Sequence, residues 1–154
     1  LYSYLGSEQR YLDLKKQYPA LKLIHRQSIQ MCVATMRNKQ SNHQQLYIHV
    51  LENAFDVLLM EKGKILLANT YDYHKEDEFL YYILNLFEQL KLDRYAVEVI
   101  IGGAPEGKEK ELLSKYLRNV QDDQQPLLKE MAESLKKDEL DMRQYTLFNA
   151  PFAI

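Results

Sequence analysis

The block "LYIHVLENAFDVLLMEKGKILLANTYDYHKEDEFLYYILNLFEQL", residues 46–90, constrains the fold more than any other stretch of the chain. Its first part holds the runs "LYIHVLE", "AFDVLLME" and "KILLANTY", rich in β-branched and aromatic residues and of strand length. Only short breaks separate them, at Asn53 and at "KG". Gly63 supplies the positive φ that a tight hairpin demands, and Asn53 tolerates the same conformation. Breaks this short cannot make a crossover, so the runs form an antiparallel meander. "YHKEDEFLYYILNLFEQL" then opens with acids, which favour a helix N-terminus, and stacks Phe79, Ile83, Leu84, Phe87 and Leu90 on one face.

Downstream, "AVEVII" is a short apolar run suited to a strand covered on both faces, and it ends in Gly102-Gly103. A second amphipathic helix follows, with Leu112, Leu113, Tyr116, Leu117 and Val120 as its stripe. "QPLLKEMAESLKK" reads as a further helix with Pro126 in its first turn, and "QYTLFNAPF" as a closing edge strand. Upstream, "GSEQRYLDLKKQYP" is a helix stopped by Pro19, "ALKLIH" a strand, and "SIQMCVATM" a helix capped by Ser28. The polar run "RNKQSNHQQ" is a linker. From Leu46 the order is β-β-β-α-β-α, a mixed sheet with helices packed on it, and the class is α/β. The ribonuclease H-like and actin-like ATPase folds share this order.

A chain of 154 residues fits one core. Lys plus Arg number 20 and Asp plus Glu 22, interspersed, so no basic face is offered to nucleic acid. No apolar run reaches the roughly 20 residues of a membrane-spanning helix, and no membrane insertion is expected. A lone cysteine, Cys32, excludes an intrachain disulfide and suits a reducing, cytoplasmic setting. It sits among Met31, Val33 and Met36, where a buried, inert thiol is expected.

With those residues in view, the chain resembles an uncharacterised bacterial family, found mainly in Bacteroidetes, whose members have an actin-like ATPase fold. The resemblance rests on residues 46–92 and on "VIIGGAPEG", above all on "LLANTYDYHKEDEFLYYILNLFEQL". It implies a longer, two-lobed protein of which this chain is the second half. Residues 1–40 then form a helix-strand-helix crossing segment, and residues 41–154 the second lobe. In the wider superfamily of heat-shock-70 chaperones, actins and sugar kinases, the lobe opens with a hairpin whose D-x-G-x-G/T loop wraps phosphate and organises Mg²⁺. The matching positions here are Glu52, Asn53 and Ala54, with neither Asp nor Gly. Side chains stand where backbone N–H groups should approach phosphate, and Glu52 adds a like charge. Gly102 and Gly103 match the Gly pair that lies against adenosine, although the favoured reading of a lone Gly pair after a strand is a strand-to-helix turn.

Other constellations are weaker. Glu52, Asp77, Glu78 and Glu98 do not make a two-metal nuclease set, because "LYIHVL" has no Asp, and Glu98 is expected to face a Lys or the sheet edge. His74 with Glu78 and His49 with Glu52 are pairs, whereas metal sites gather three or four ligands. Tyr71, Tyr73, Tyr81 and Tyr82 form an aromatic group beside an acidic turn, suited to a protein interface or to cover from the missing N-terminal half. The expectation is therefore an actin-like domain without catalytic residues, metal or cofactor, acting in protein binding or self-association. The alternative is an ATP-binding switch or enzyme, with Mg²⁺, completed by the missing lobe.

Overall fold

The structure, a computed structural model, describes residues 8–19, 26–39, 41–103 and 108–123. Its elements run α1 (Glu8–Gln17), α2 (Arg26–Asn38), β1 (Gln45–Val50), β2 (Ala54–Glu61), β3 (Lys64–Asp72), α3 (Glu76–Gln89), β4 (Glu98–Gly103), α4 (Lys108–Ser114) and β5 (Asn119–Asp122). The strands form one mixed sheet in the order β3-β2-β1-β4-β5. β1, β2 and β3 are the antiparallel meander, while β4 runs parallel to β1 and β5 parallel to β4.

Alternation along the strands divides the sheet into two unlike faces. Leu46, Ile48, Val50, Phe55, Val57, Leu59, Val99 and Ile101 point to one side. There they bury against Phe79, Ile83, Leu86 and Phe87 of α3 and Leu113 of α4. Phe55, Phe79 and Phe87 are its largest fully buried rings, each of a size that dominates core energetics. The other side is covered by α2, and its apolar content is small: Ala34 against Leu58 and Met60, with Met31 and Tyr47 at the margin.

Polar contacts hold α2 down along its length. At its start, Gln27 Nε2 donates to Thr70 Oγ1 on β3 at 3.0 Å, and Thr70 Oγ1 donates to Asp56 Oδ1 on β2 at 2.7 Å. At its end, fully buried Asn38 donates to Gln45 Oε1 at 2.8 Å and accepts from Gly63 N–H at 2.6 Å.

The hairpin between β2 and β3 turns through Lys62 and Gly63, both at positive φ, the arrangement that matches strand twist. The hairpin between β1 and β2 does not use positive φ, so Asn53 contributes nothing of the kind expected of it. At the start of α3, Glu78 Oε2 accepts the His74 backbone N–H at 2.9 Å, which holds the Glu78 carboxyl below its ordinary value. That local bond accounts for the His74 and Glu78 spacing.

Three further expectations about these elements need correction. Ser28 lies inside α2, which begins at Arg26. The second amphipathic helix stops at Ser114, and Val120 belongs to β5, where it pairs with Val99. Cys32 is only partly buried. The expected strand at residues 20–25, the helix at residues 125–137 and the closing strand at residues 144–152 lie outside the described residues.

Candidate functional site

The register of β1 and β4 brings the two sequence motifs together. Parallel pairing sets His49 beside Gly102 and Val50 beside Gly103, so the Gly pair and the turn after Val50 meet at the same end of the sheet. Ala54 is the first residue of β2, leaving Glu52 and Asn53 as the exposed tip of the turn. Leu51 N–H donates to Ala54 O at 2.8 Å, and Asn53 O accepts from Tyr73 N–H at 3.1 Å. Leu51 N–H and the carbonyls of Asn53 and Ala54 thus close the hairpin and tie it to the chain after β3.

Each glycine answers to packing. Gly103 has φ +93, and a Cβ at this position would stand 2.2 Å from Val50 O and 2.9 Å from Val50 N. A Cβ on Gly102 would stand 2.9 Å from Asp123 Cβ. Close approach of the Val50 backbone therefore explains Gly103, and crowding by the Asp123 side chain bears on Gly102.

Behind this end, between α2 and the sheet, lies a pocket of about 20 Å³, room for a single water. Gln30, Tyr47, His49, Asp56 and Asp123 supply its polar lining. Gln30 is buried and its Nε2 has no hydrogen-bond partner among the described residues, which makes it the natural donor to such a water. Arg37 Nη1 meets Asp123 Oδ1 at 2.5 Å, joining α2 to the residue after β5. Tyr47 donates to Gln45 Oε1 at 2.9 Å, and burial pushes its hydroxyl up to about 12, with Asp123 and Glu98 raising it further and Arg37 lowering it. Glu98 faces two glutamines rather than a Lys: it accepts from Gln45 Nε2 at 2.5 Å and from Gln121 Nε2.

His49 is buried in this pocket while Glu52 is exposed on the turn, so that pair is not a ligand set. Among the described residues, no three His, Cys, Asp or Glu side chains are placed to hold a metal ion. The polar chain from Asn38 through Gln45 and Glu98 to Gln121 was not legible as a unit, because its members are scattered over residues 38–121 and none belongs to a motif.

The tyrosine group separates by depth. Tyr73 is buried, edge-on to Phe55 at 5.6 Å, with its hydroxyl donating to Glu109 Oε1 at 3.3 Å. Tyr71 stacks on Phe55 at 5.3 Å and on Tyr82 at 5.0 Å. Tyr81 meets the edge of Tyr82 at 5.8 Å and is 64 % exposed. A ladder of rings thus leads from the core to one exposed tyrosine. Tyr73 offers no contact surface.

Comparison with known proteins agrees with this architecture. A crystal structure of a Bacteroides thetaiotaomicron VPI-5482 protein, described as having an actin-like ATPase fold and unknown function, superposes with a TM-score of 0.70. It is 20 % identical, and the match covers 90 % of this chain and 49 % of that one. This chain therefore spans about half the length of that relative. An AlfA filament bound to AMPPNP matches at a TM-score of 0.44, 13 % identical over 77 % of this chain and 44 % of that chain, a level that carries no argument. No curated protein matches the sequence. No helix among the described residues is long and apolar enough to cross a membrane. The model of the DUF3822 family, proteins of unknown function, matches residues 8–120, and the chain, with its actin-like ATPase fold, belongs to that family.

Proposed function

We propose that this chain is a cytoplasmic actin-like lobe that works by protein contact, in binding or in assembly, and performs no phosphoryl transfer. The observation that carries the reading is the turn at residues 51–54. Phosphate cradles present free backbone N–H groups on glycines, and here Leu51 N–H is spent on Ala54 O while the Glu52 and Asn53 side chains occupy the tip. An anionic Glu52 at that place opposes a polyphosphate. The exposed Tyr81, at the end of its ring ladder, supports a contact surface, since tyrosine joins large area to a polar tip.

The test is thermal unfolding of the full-length protein, including the expected first lobe, with and without excess Mg-ATP and Mg-ADP. A nucleotide at about 100 times its dissociation constant stabilises the folded state by about 2.7 kcal/mol, a readily seen rise in midpoint. The expected result is no rise with either nucleotide. A clear rise would overturn the proposal and make the domain a nucleotide-dependent switch.

A further inference from the structure

We infer that the outer edge of β3 is a self-pairing surface, on which a second copy of this chain lays its own β3 antiparallel, joining two sheets across a two-fold axis at Ala68. The inference rests on the protein-contact reading above and names the partner. β3 is the end strand of the sheet, and among the described residues it pairs only with β2. An edge of this length is a template for another strand unless something blunts it.

This edge is guarded by a bulge near its start and, further along, by Asn69 Oδ1, which accepts the Thr70 backbone N–H at 2.9 Å and gives way to the incoming strand. Leu66 is the extra residue of a bulge, since Leu67 pairs with Leu59 and Ile65 with Met60, and Lys62 and Lys64 flank it. Between Lys64 and Asp72 the seven residues Ile65 to Tyr71 carry no charge, no proline and no glycine. Ile65 and Leu66 are 43 % and 50 % exposed. A run of this composition on an edge favours strand addition.

Charge selects a second copy as the occupant. The strand has cations at its start, Lys62 and Lys64, and an exposed anion at its end, Asp72. Antiparallel pairing with itself sets each end against its opposite, twice over by symmetry. Counting rungs along β2 and passing over Leu66, a two-fold axis perpendicular to the sheet at Ala68 keeps opposed side chains on the same face. Asn69 then faces Leu67 of the second copy, Thr70 faces Ile65, and Tyr71 faces Lys64, with Asp72 beside the Lys62-Gly63 turn. Ala68, the smallest side chain on the strand, sits at the axis, where the two copies come closest. The same axis leaves α3 of both copies on one side of the joined sheet. Tyr82, stacked on Tyr71, and Tyr81, edge-on to Tyr82, then line the margin of the contact.

The test is sedimentation equilibrium of the full chain over a wide concentration range, for the parent and for Asp72→Lys, Lys62→Glu and the double exchange. The expected result is a parent dimer, weakened about tenfold or more by either single change, which sets like charges together at two symmetric places, and restored by the double exchange. Leu66→Lys, which leaves the strand ends as they are, weakens the dimer as well and serves as the second variant should a charge exchange disturb folding. A parent that stays monomeric, or a dimer indifferent to all these changes, overturns the inference. The nucleotide experiment above is read separately, so either idea can fail without the other.

Discussion

Gly103 lies so close to β1 that a single added methyl would sit 2.2 Å from the carbonyl oxygen of Val50. The partner atom is backbone in the middle of the sheet, so it cannot swing aside as the end of a long side chain could. The residue also holds φ +93, where any side chain is strained. Gly103→Ala is expected to destabilise the domain by about 3 kcal/mol or more, measured by urea unfolding. Gly102→Ala meets only the Asp123 side chain and is expected to cost clearly less. Equal effects at the two positions would contradict the packing explanation of the pair.

Asn38 joins α2 to two places on the sheet, through Gln45 on β1 and through Gly63 at the hairpin between β2 and β3. Asn38→Ala leaves the Gly63 N–H and the Asn38 side of Gln45 without these bonds at a fully buried position. A loss of about 2–3 kcal/mol in urea unfolding is expected. In a double-mutant cycle with Gln45→Ala, the two changes should fall short of additivity, because they share one bond.

The meander and α3 were legible because their residues report their own surroundings. Strand-length runs rich in β-branched and aromatic residues mark β1 and β2, the positive-φ turn at Gly63 marks the second hairpin, and the acids before Phe79 mark a helix start. β5 was illegible for the opposite reason. Asn119–Asp122 has a single apolar residue, and Val120 continues the helical spacing of Leu113, Tyr116 and Leu117, so local pattern argues for helix. Pairing with β4 decides the matter, and that partner is distant in sequence. At the site, the Gly pair and the turn were each visible as motifs. Their meeting at one end of the sheet came from the parallel register of β1 and β4. The Asn38, Gln45, Glu98 and Gln121 chain has no sequence signal at all, since polar residues are common and only tertiary contact unites these four.

Phe79 and Tyr81 lie two residues apart on α3 and face opposite fates. Phe79 is fully buried and edge-on to Phe55 at 4.8 Å, so Phe79→Ala opens a cavity in the main core, with an expected loss of about 3–5 kcal/mol. Tyr81 touches Tyr82 alone among these rings and is mostly exposed, so Tyr81→Ala is expected to change stability by no more than about 0.5 kcal/mol. The useful consequence is a clean separation. A defect in self-association caused by Tyr81→Ala, with an unchanged unfolding midpoint, belongs to the surface and not to the fold.

Tyr47 gives the domain an alkaline limit whose direction follows from proton counting. An unfolded tyrosine ionises near 10, whereas burial beneath α2 raises Tyr47 to about 12. Between these values the unfolded chain has given up the proton and the folded chain still holds it. Unfolding then releases a proton, so stability falls as pH rises. The contribution of the neutral hydroxyl, which donates to Gln45 Oε1, is complete below about pH 10 and is lost as pH climbs through about 12. Tyr47→Phe removes the hydroxyl and with it this slope, while the remaining tyrosines titrate alike in both chains and cancel in the difference. Urea midpoints at about pH 9 and about pH 11.5 should fall further in the parent than in the variant. At the lower pH the variant should be the less stable of the two, for want of the Gln45 bond, and the gap should narrow at the higher pH. Parallel losses in the two proteins would show that Tyr47 does not set the alkaline limit.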